Sequence, residues 1–142
     1  MRRSVDYNYR NGKFIIKGLH PELFEEINRI VAECEHGFNQ AIIEGLLAKS
    51  GWQKGSKAEF FKRDITVYIE LTNNEKLYKD MFKLMYLHKA NNISAAIIIS
   101  PMDTGETKAR LKLDTGLMDI HAFLEGDLGS LVTVPIWYIG IE

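Results

Sequence analysis

The sharpest alternation of apolar and polar positions lies in the middle of the chain. From Ile65 to Thr72, Ile65, Val67, Ile69 and Leu71 take one parity and Thr66, Tyr68, Glu70 and Thr72 the other. A period of two with β-branched enrichment predicts a strand with one buried face. Just before it, Glu59–Phe61 reads as a short strand and Lys62-Arg63-Asp64 as a charged turn, so the two strands form a hairpin. Beyond it the period changes. Leu77, Met81, Met85 and His88, joined by Phe82 and Leu84, recur at helical spacing behind a cap at Asn73 or Asn74. The run ISAAIIIS, bounded by Asn91-Asn92 and Pro101, is short and almost wholly apolar, which fits a strand buried on both faces. A helix joining two strands in this way predicts a crossover between parallel neighbours.

The flanks carry weaker patterns. Ser4 to Lys17 reads as a hairpin, with Asn11-Gly12 supplying the positive φ angles of a tight turn. His20-Pro21 opens a helix whose apolar stripe is Leu23, Ile27, Ile30, Val31 and Cys34, with Glu22, Glu25 and Glu26 near its positive end. Asn39 to Lys49 reads as a second helix with Ile42, Ile43, Leu46 and Leu47 inward, and Trp52 packs back on the core. After Pro101, MDTGETKARLKLDTG is a long polar loop of the kind that often carries function. Leu117 to Leu124 reads as a short helix with His121 packed inward, and the closing SLVTVPIWYIGIE as a strand that Pro135 marks as bulged or at an edge. The expected class is α/β (α+β): a mixed central sheet with flanking helices, in one domain over residues 1–142.

Composition narrows the function classes by exclusion. Hydrophobic content of 46% is that of an ordinary globular protein, and a net charge of −1 requires any basic footprint to be local. No apolar run is long enough to span a membrane, the N-terminus lacks the apolar core of a signal peptide, and a single cysteine, Cys34, suits a reducing cytoplasm. Basic residues are confined to Arg2 through Lys112, whereas Asp114, Asp119, Glu125, Asp127 and Glu142 follow. The basic candidates are therefore Arg2, Arg3, Arg10 and Lys13 at the start, Lys49, Lys54, Lys57, Lys62 and Arg63 beside the hairpin, and Lys108, Arg110 and Lys112 in the polar loop. Glu59 and Glu70 lie on the two arms of the hairpin, with Tyr68 on the same face as Glu70. Converging carboxylates suit a hard divalent cation; the alternative is solvated strand acids. Glu44, on the second helix, reads first as an exposed helix acid.

The phrase FFKRD, the strand ending in Thr72-Asn73, the lysine-bearing helix and the apolar strand ending in Pro101 resemble the BglII/BamHI-like type II restriction endonucleases, a branch of the PD-(D/E)xK nucleases. The segments from His20 to Ile27, Gln40 to Trp52 and Thr133 to Gly140 extend the resemblance over most of the chain. It implies a restriction-endonuclease-like core, duplex DNA as partner, a homodimer, and Mg²⁺ as cofactor. It puts the family's first-strand aspartate on Glu59 and its second-strand Glu-x-Gln/Glu on Tyr68-Ile69-Glu70. Catalytic positions therefore fall on Glu59, Tyr68 and Glu70, and metal ligands on Glu59 and Glu70, with Glu44 able to complete the set. Tyr68 departs from the pattern, because a phenol is a poor magnesium ligand at neutral pH. A two-residue slip would instead bring Glu70 to the metal position. Three expectations follow: a Mg²⁺-dependent DNA endonuclease, a nuclease-fold protein that binds DNA or a partner without cutting, and a small homo-oligomeric scaffold.

Overall fold

The structure, a computed structural model, describes residues 4–34, 37–55, 59–69, 74–101 and 132–141. Its elements run β1 (Ser4–Tyr9), α1 (Gly12–Leu19), α2 (Pro21–Ala32), α3 (Gln40–Lys49), β2 (Gln53–Lys54), β3 (Glu59–Lys62), β4 (Ile65–Ile69), α4 (Asn74–Lys89), β5 (Ala95–Pro101) and β6 (Ile136–Ile141). The six strands form one sheet in the order β1-β6-β5-β4-β3-β2. β3 and β4 pair antiparallel through the turn at Arg63, whose φ of 55 lies in the left-handed region. β4, β5 and β6 run parallel, so α4 is the crossover that the periodicity predicts. The sheet is thus mixed, and it is covered on both faces.

Period-two alternation sorts the core into two layers. Ile65, Val67 and Ile69 of β4, Ile97 and Ile99 of β5, and Trp137 and Ile139 of β6 meet Ile16 of α1, Leu23 and Ile27 of α2, and Ile43 and Leu47 of α3. Tyr68, Ile98, Ile136 and Tyr138 face the other way and meet Met81 and Leu84 of α4. Strand β5 is buried along its whole length, as the unbroken apolar run required. The α2 stripe is buried as expected, Cys34 included, and Trp52 is only 3% exposed. Asn39 caps α3 by accepting a hydrogen bond from the Ile42 amide at 3.2 Å.

Several expectations fail for definite reasons. Residues 4–17 do not make a hairpin. Arg10 and Asn11 do take positive φ, at 51 and 61, but the chain then enters α1 instead of returning as a strand. Ile16 buries one helix face, and β1 pairs antiparallel with β6, far away in sequence. Gly12 permits the arrangement, since a Cβ there would sit 2.5 Å from the Ile136 amide nitrogen and 2.7 Å from its carbonyl oxygen. β6 is therefore an interior strand and not an edge; Pro135 precedes its first residue, where a missing N–H interrupts no ladder. Ile42, expected inward, is exposed. The expected helix at Leu117–Leu124 and the loop holding Lys108, Arg110 and Lys112 lie outside the described residues.

Candidate active site

The β3–β4 hairpin has two ends with different chemistry. Glu59 pairs across the ladder with Tyr68 at one end, and Lys62 with Ile65 at the other. Three residues of strand separate Glu59 from Lys62, about 10 Å. Because β4 and β5 run parallel, the Glu59 end coincides with their carboxyl ends. In open α/β sheets ligands bind outside the carboxyl ends of the strands.

Directly opposed residues of an antiparallel pair project to the same face. Glu59 and Tyr68 therefore share the face covered by α4, and both are buried, at 3% and 2% exposure. A carboxylate so deeply buried needs a counter-charge. Lys83 of α4 supplies it: its Nζ donates to Glu59 Oε1 at 2.8 Å and Oε2 at 2.7 Å. Gly55, directly after β2, donates its amide to the Glu59 carbonyl at 2.8 Å. A Cβ at Gly55 would come within 2.8 Å of Glu59 Oε1, so the bare glycine leaves the cradle in which the carboxylate lies. Glu70 and Lys57 lie outside the described residues. Glu44 is on α3, where it pairs with Lys54 at 3.2 Å, and the two are not joined to the Glu59–Lys83 pair by any described hydrogen bond.

For the divalent cation that the family resemblance implies, the described residues fit in part. Glu59 is a hard oxygen donor in a cradle, whereas Tyr68 opposite it brings a phenol. Among the described residues no three of His, Cys, Asp and Glu group closely enough to hold a metal ion.

The turn end of the hairpin is a different structure. Lys62 projects to the face covered by α2 and α3. Its Nζ donates to Glu26 Oε2 at 3.1 Å and to the Ser50 carbonyl at 2.7 Å, and lies over the Trp52 ring at 6.0 Å. Arg63 is bonded to Glu22 and donates to His20 Nδ1 at 3.2 Å. With Nδ1 accepting, His20 Nε2 carries the proton that meets Asp64 Oδ1 at 2.5 Å. Ser94 donates its hydroxyl to the other Asp64 oxygen. Burial acts to raise the Asp64 carboxyl, but the hydrogen bonds from Ser94 and His20 outweigh it, so the group ionises below the usual aspartate value. A serine, a histidine and an aspartate together suggest acyl-transfer chemistry, yet the aspartate is the central member. The Ser94 hydroxyl donates to Asp64, and no described hydrogen bond joins it to His20. The cluster ties the α1–α2 corner to the amino ends of β4 and β5.

The hairpin reading named Glu59, which the fold buries, and did not name its partner Lys83. Lys83 lies between Met81 and Leu84, both buried, and so flanks the apolar stripe of α4. That flank position was legible; which acid it would meet was not. Of the basic candidates, Lys54 remains exposed beside the site, while Lys62 and Arg63 are held by acids of α2.

A mixed sheet flanked by helices, with a buried carboxylate on a hairpin at the carboxyl ends of parallel strands, defines a restriction-endonuclease-like fold. The family model for restriction endonuclease BglII/BglIII matches residues 5–141, and the chain belongs to that family. Among solved structures, the crystal structure of restriction endonuclease BglII complexed with a DNA 16-mer is similar. Its TM-score is 0.71 at 16% identity, over 99% of this chain and 78% of that one. Among curated proteins, none matches this chain. No helix among the described residues is long and apolar enough to cross a membrane.

Proposed function

We propose that this chain is a type II DNA endonuclease that hydrolyses phosphodiester bonds in duplex DNA. The observation that carries the reading is the burial of Glu59, the position of the family's first acid, at the carboxyl ends of the parallel strands within a chain matched to the family over residues 5–141. The cofactor in this reading is Mg²⁺, held by Glu59 and Glu70, with Glu44 as the further acid. A divalent ion so placed supplies a water of lowered pKa and charge neutralisation on the phosphate. Glu59 contributes the buried oxygen donor, and Tyr68 walls the site opposite it. Lys54, Lys57, Lys108 and Arg110 are the proposed DNA contacts, whereas Lys62 and Arg63 are engaged by acids of α2. The protein in this reading is a single nuclease-like domain that works as a homodimer in the cytoplasm, as the likeness to a DNA-bound endonuclease and the lone buried Cys34 suggest.

One observation favours a second reading, in which the protein binds DNA without cutting. Lys83 already neutralises Glu59, and the residue paired with Glu59 across the ladder is Tyr68, on which the resemblance puts the family's ligating acid. Supercoiled plasmid incubated with Mg²⁺ or Mn²⁺ separates the two. Nicking that disappears in Glu59→Gln and Glu70→Ala supports the endonuclease. Salt-sensitive duplex binding with no nicking supports the second reading, and the absence of both removes each of them.

A further inference from the structure

The Glu59 residue is 3% exposed, and both its carboxylate oxygens accept from an ammonium group carried by the protein itself. The two members of the pair differ in their freedom. The Glu59 side chain is 4% exposed and fixed on a strand between β2 and β4; the Lys83 side chain is 43% exposed and reaches in from α4. Lysine carries a long stem with many rotamers, so swinging its ammonium into solvent restores conformational entropy that the buried pose removes.

We propose that Lys83 is the resident cation of this site, and that a divalent ion can bind at Glu59 only by displacing the Lys83 ammonium. Both carboxylate oxygens already face Nζ, at 2.8 and 2.7 Å. A second cation on the same oxygens would lie within a few ångströms of the first, where like charges in a poorly solvated pocket repel strongly. Lysine and metal are therefore exclusive occupants of one carboxylate. By linkage, whatever Lys83 contributes to holding Glu59 is subtracted from metal affinity. A side chain at Gly55 would press on the same carboxylate, since a Cβ there would lie 2.8 Å from Glu59 Oε1. The pair also accounts for the Tyr68 departure. A second acid directly across from Glu59 would need a second counter-charge, whereas a phenol leaves one carboxylate and one ammonium in balance.

The inference rests on reading Glu59 as a cation site, and it is tested by metal binding, separately from cleavage. Mn²⁺ titrations by calorimetry on the full chain would compare wild type with Lys83→Met, Lys83→Gln and Lys83→Arg. Lys83→Met should bind Mn²⁺ more tightly by a factor on the order of ten. Lys83→Arg should stay near wild type, because it keeps the competing charge. Adding Glu59→Gln to Lys83→Met should abolish the gain. Should Lys83→Met fold poorly, Lys83→Gln retains a hydrogen-bond donor without the charge and should show the same gain. Unchanged or weaker binding in the neutral variants, no binding in any protein, or a gain that survives Glu59→Gln would each overturn the proposal. Plasmid nicking by wild type distinguishes the two readings. Nicking with unaltered Mn²⁺ affinity in Lys83→Met overturns the role of Lys83 and leaves the nuclease standing. Tighter Mn²⁺ binding without nicking does the reverse.

Discussion

Lys62 offers a direct choice between a phosphate clamp and an internal staple. Replacing it with methionine keeps most of the stem and removes the charge. Glu26, with its side chain 10% exposed, then loses the ammonium at 3.1 Å, and the Ser50 carbonyl at the end of α3 loses a donor at 2.7 Å. Breaking a buried ion pair by removing one partner costs about 3–5 kcal/mol. The Lys62 side chain is 28% exposed, so water can re-enter and the lower end applies, about 3 kcal/mol with the lost carbonyl bond included. For a chain of this size that lowers Tm by roughly 10 °C. Urea unfolding followed by far-UV circular dichroism gives the free energy directly. Pairing Lys62→Met with Glu26→Leu should recover most of the loss, because a buried pair exchanged for apolar groups of similar volume is often neutral. Duplex DNA binding over a salt titration should keep its slope in Lys62→Met. A stability loss under about 1 kcal/mol together with a slope reduced by about one unit would refute the staple and restore the clamp.

Other outcomes follow from the same structure. Gly12→Ala should destabilise by about 2 kcal/mol in urea melts, since the new Cβ meets the rigid backbone of Ile136; Gly18→Ala, with nothing within 4 Å, should be neutral or slightly stabilising, and equal effects would contradict the packing described. The Asp64 carboxyl is held below its ordinary value of 3.8, so its ionised form favours the native state. That contribution is complete above the ordinary value and is lost as pH falls through the depressed one, so the stability gap between wild type and Asp64→Asn should shrink in acid; a constant gap from pH 6 to pH 2 would deny it. Tyr68→Glu places a second buried carboxylate opposite Glu59. Its Tm should fall in EDTA and recover in Mn²⁺, and a Tm indifferent to Mn²⁺ would show that the two acids share no ion.

What could be read in advance was local. The period-two run of β4, the helical stripe of α2 and the apolar stretch of β5 each announce an element from neighbouring residues alone. The β4–α4–β5 crossover follows because chirality and short connections leave few alternatives. The family resemblance singled out Glu59 as a site candidate, and the fold buries it. Partners distant in sequence were not legible. FIIK after Asn11-Gly12 suits a returning strand until β6 takes the place beside β1, and Ile16 is then better buried as part of α1. The same holds for charges. Lys62 and Lys83 look alike in a sequence, and only the packing of α2 and α4 shows that one meets Glu26 and the other Glu59.

The pairing of β1 with β6 also bears on the order in which the molecule assembles. Ser4 faces Ile141, so the contact joins positions nearly a whole chain apart. Closing so large a loop costs about 4 kcal/mol of chain entropy if it happens first. It becomes cheap once β4, α4 and β5 have condensed and β6 has docked beside them. β1 should therefore zip onto the sheet late. During synthesis β1 emerges well before β6, and its six residues must wait for that strand to provide their edge.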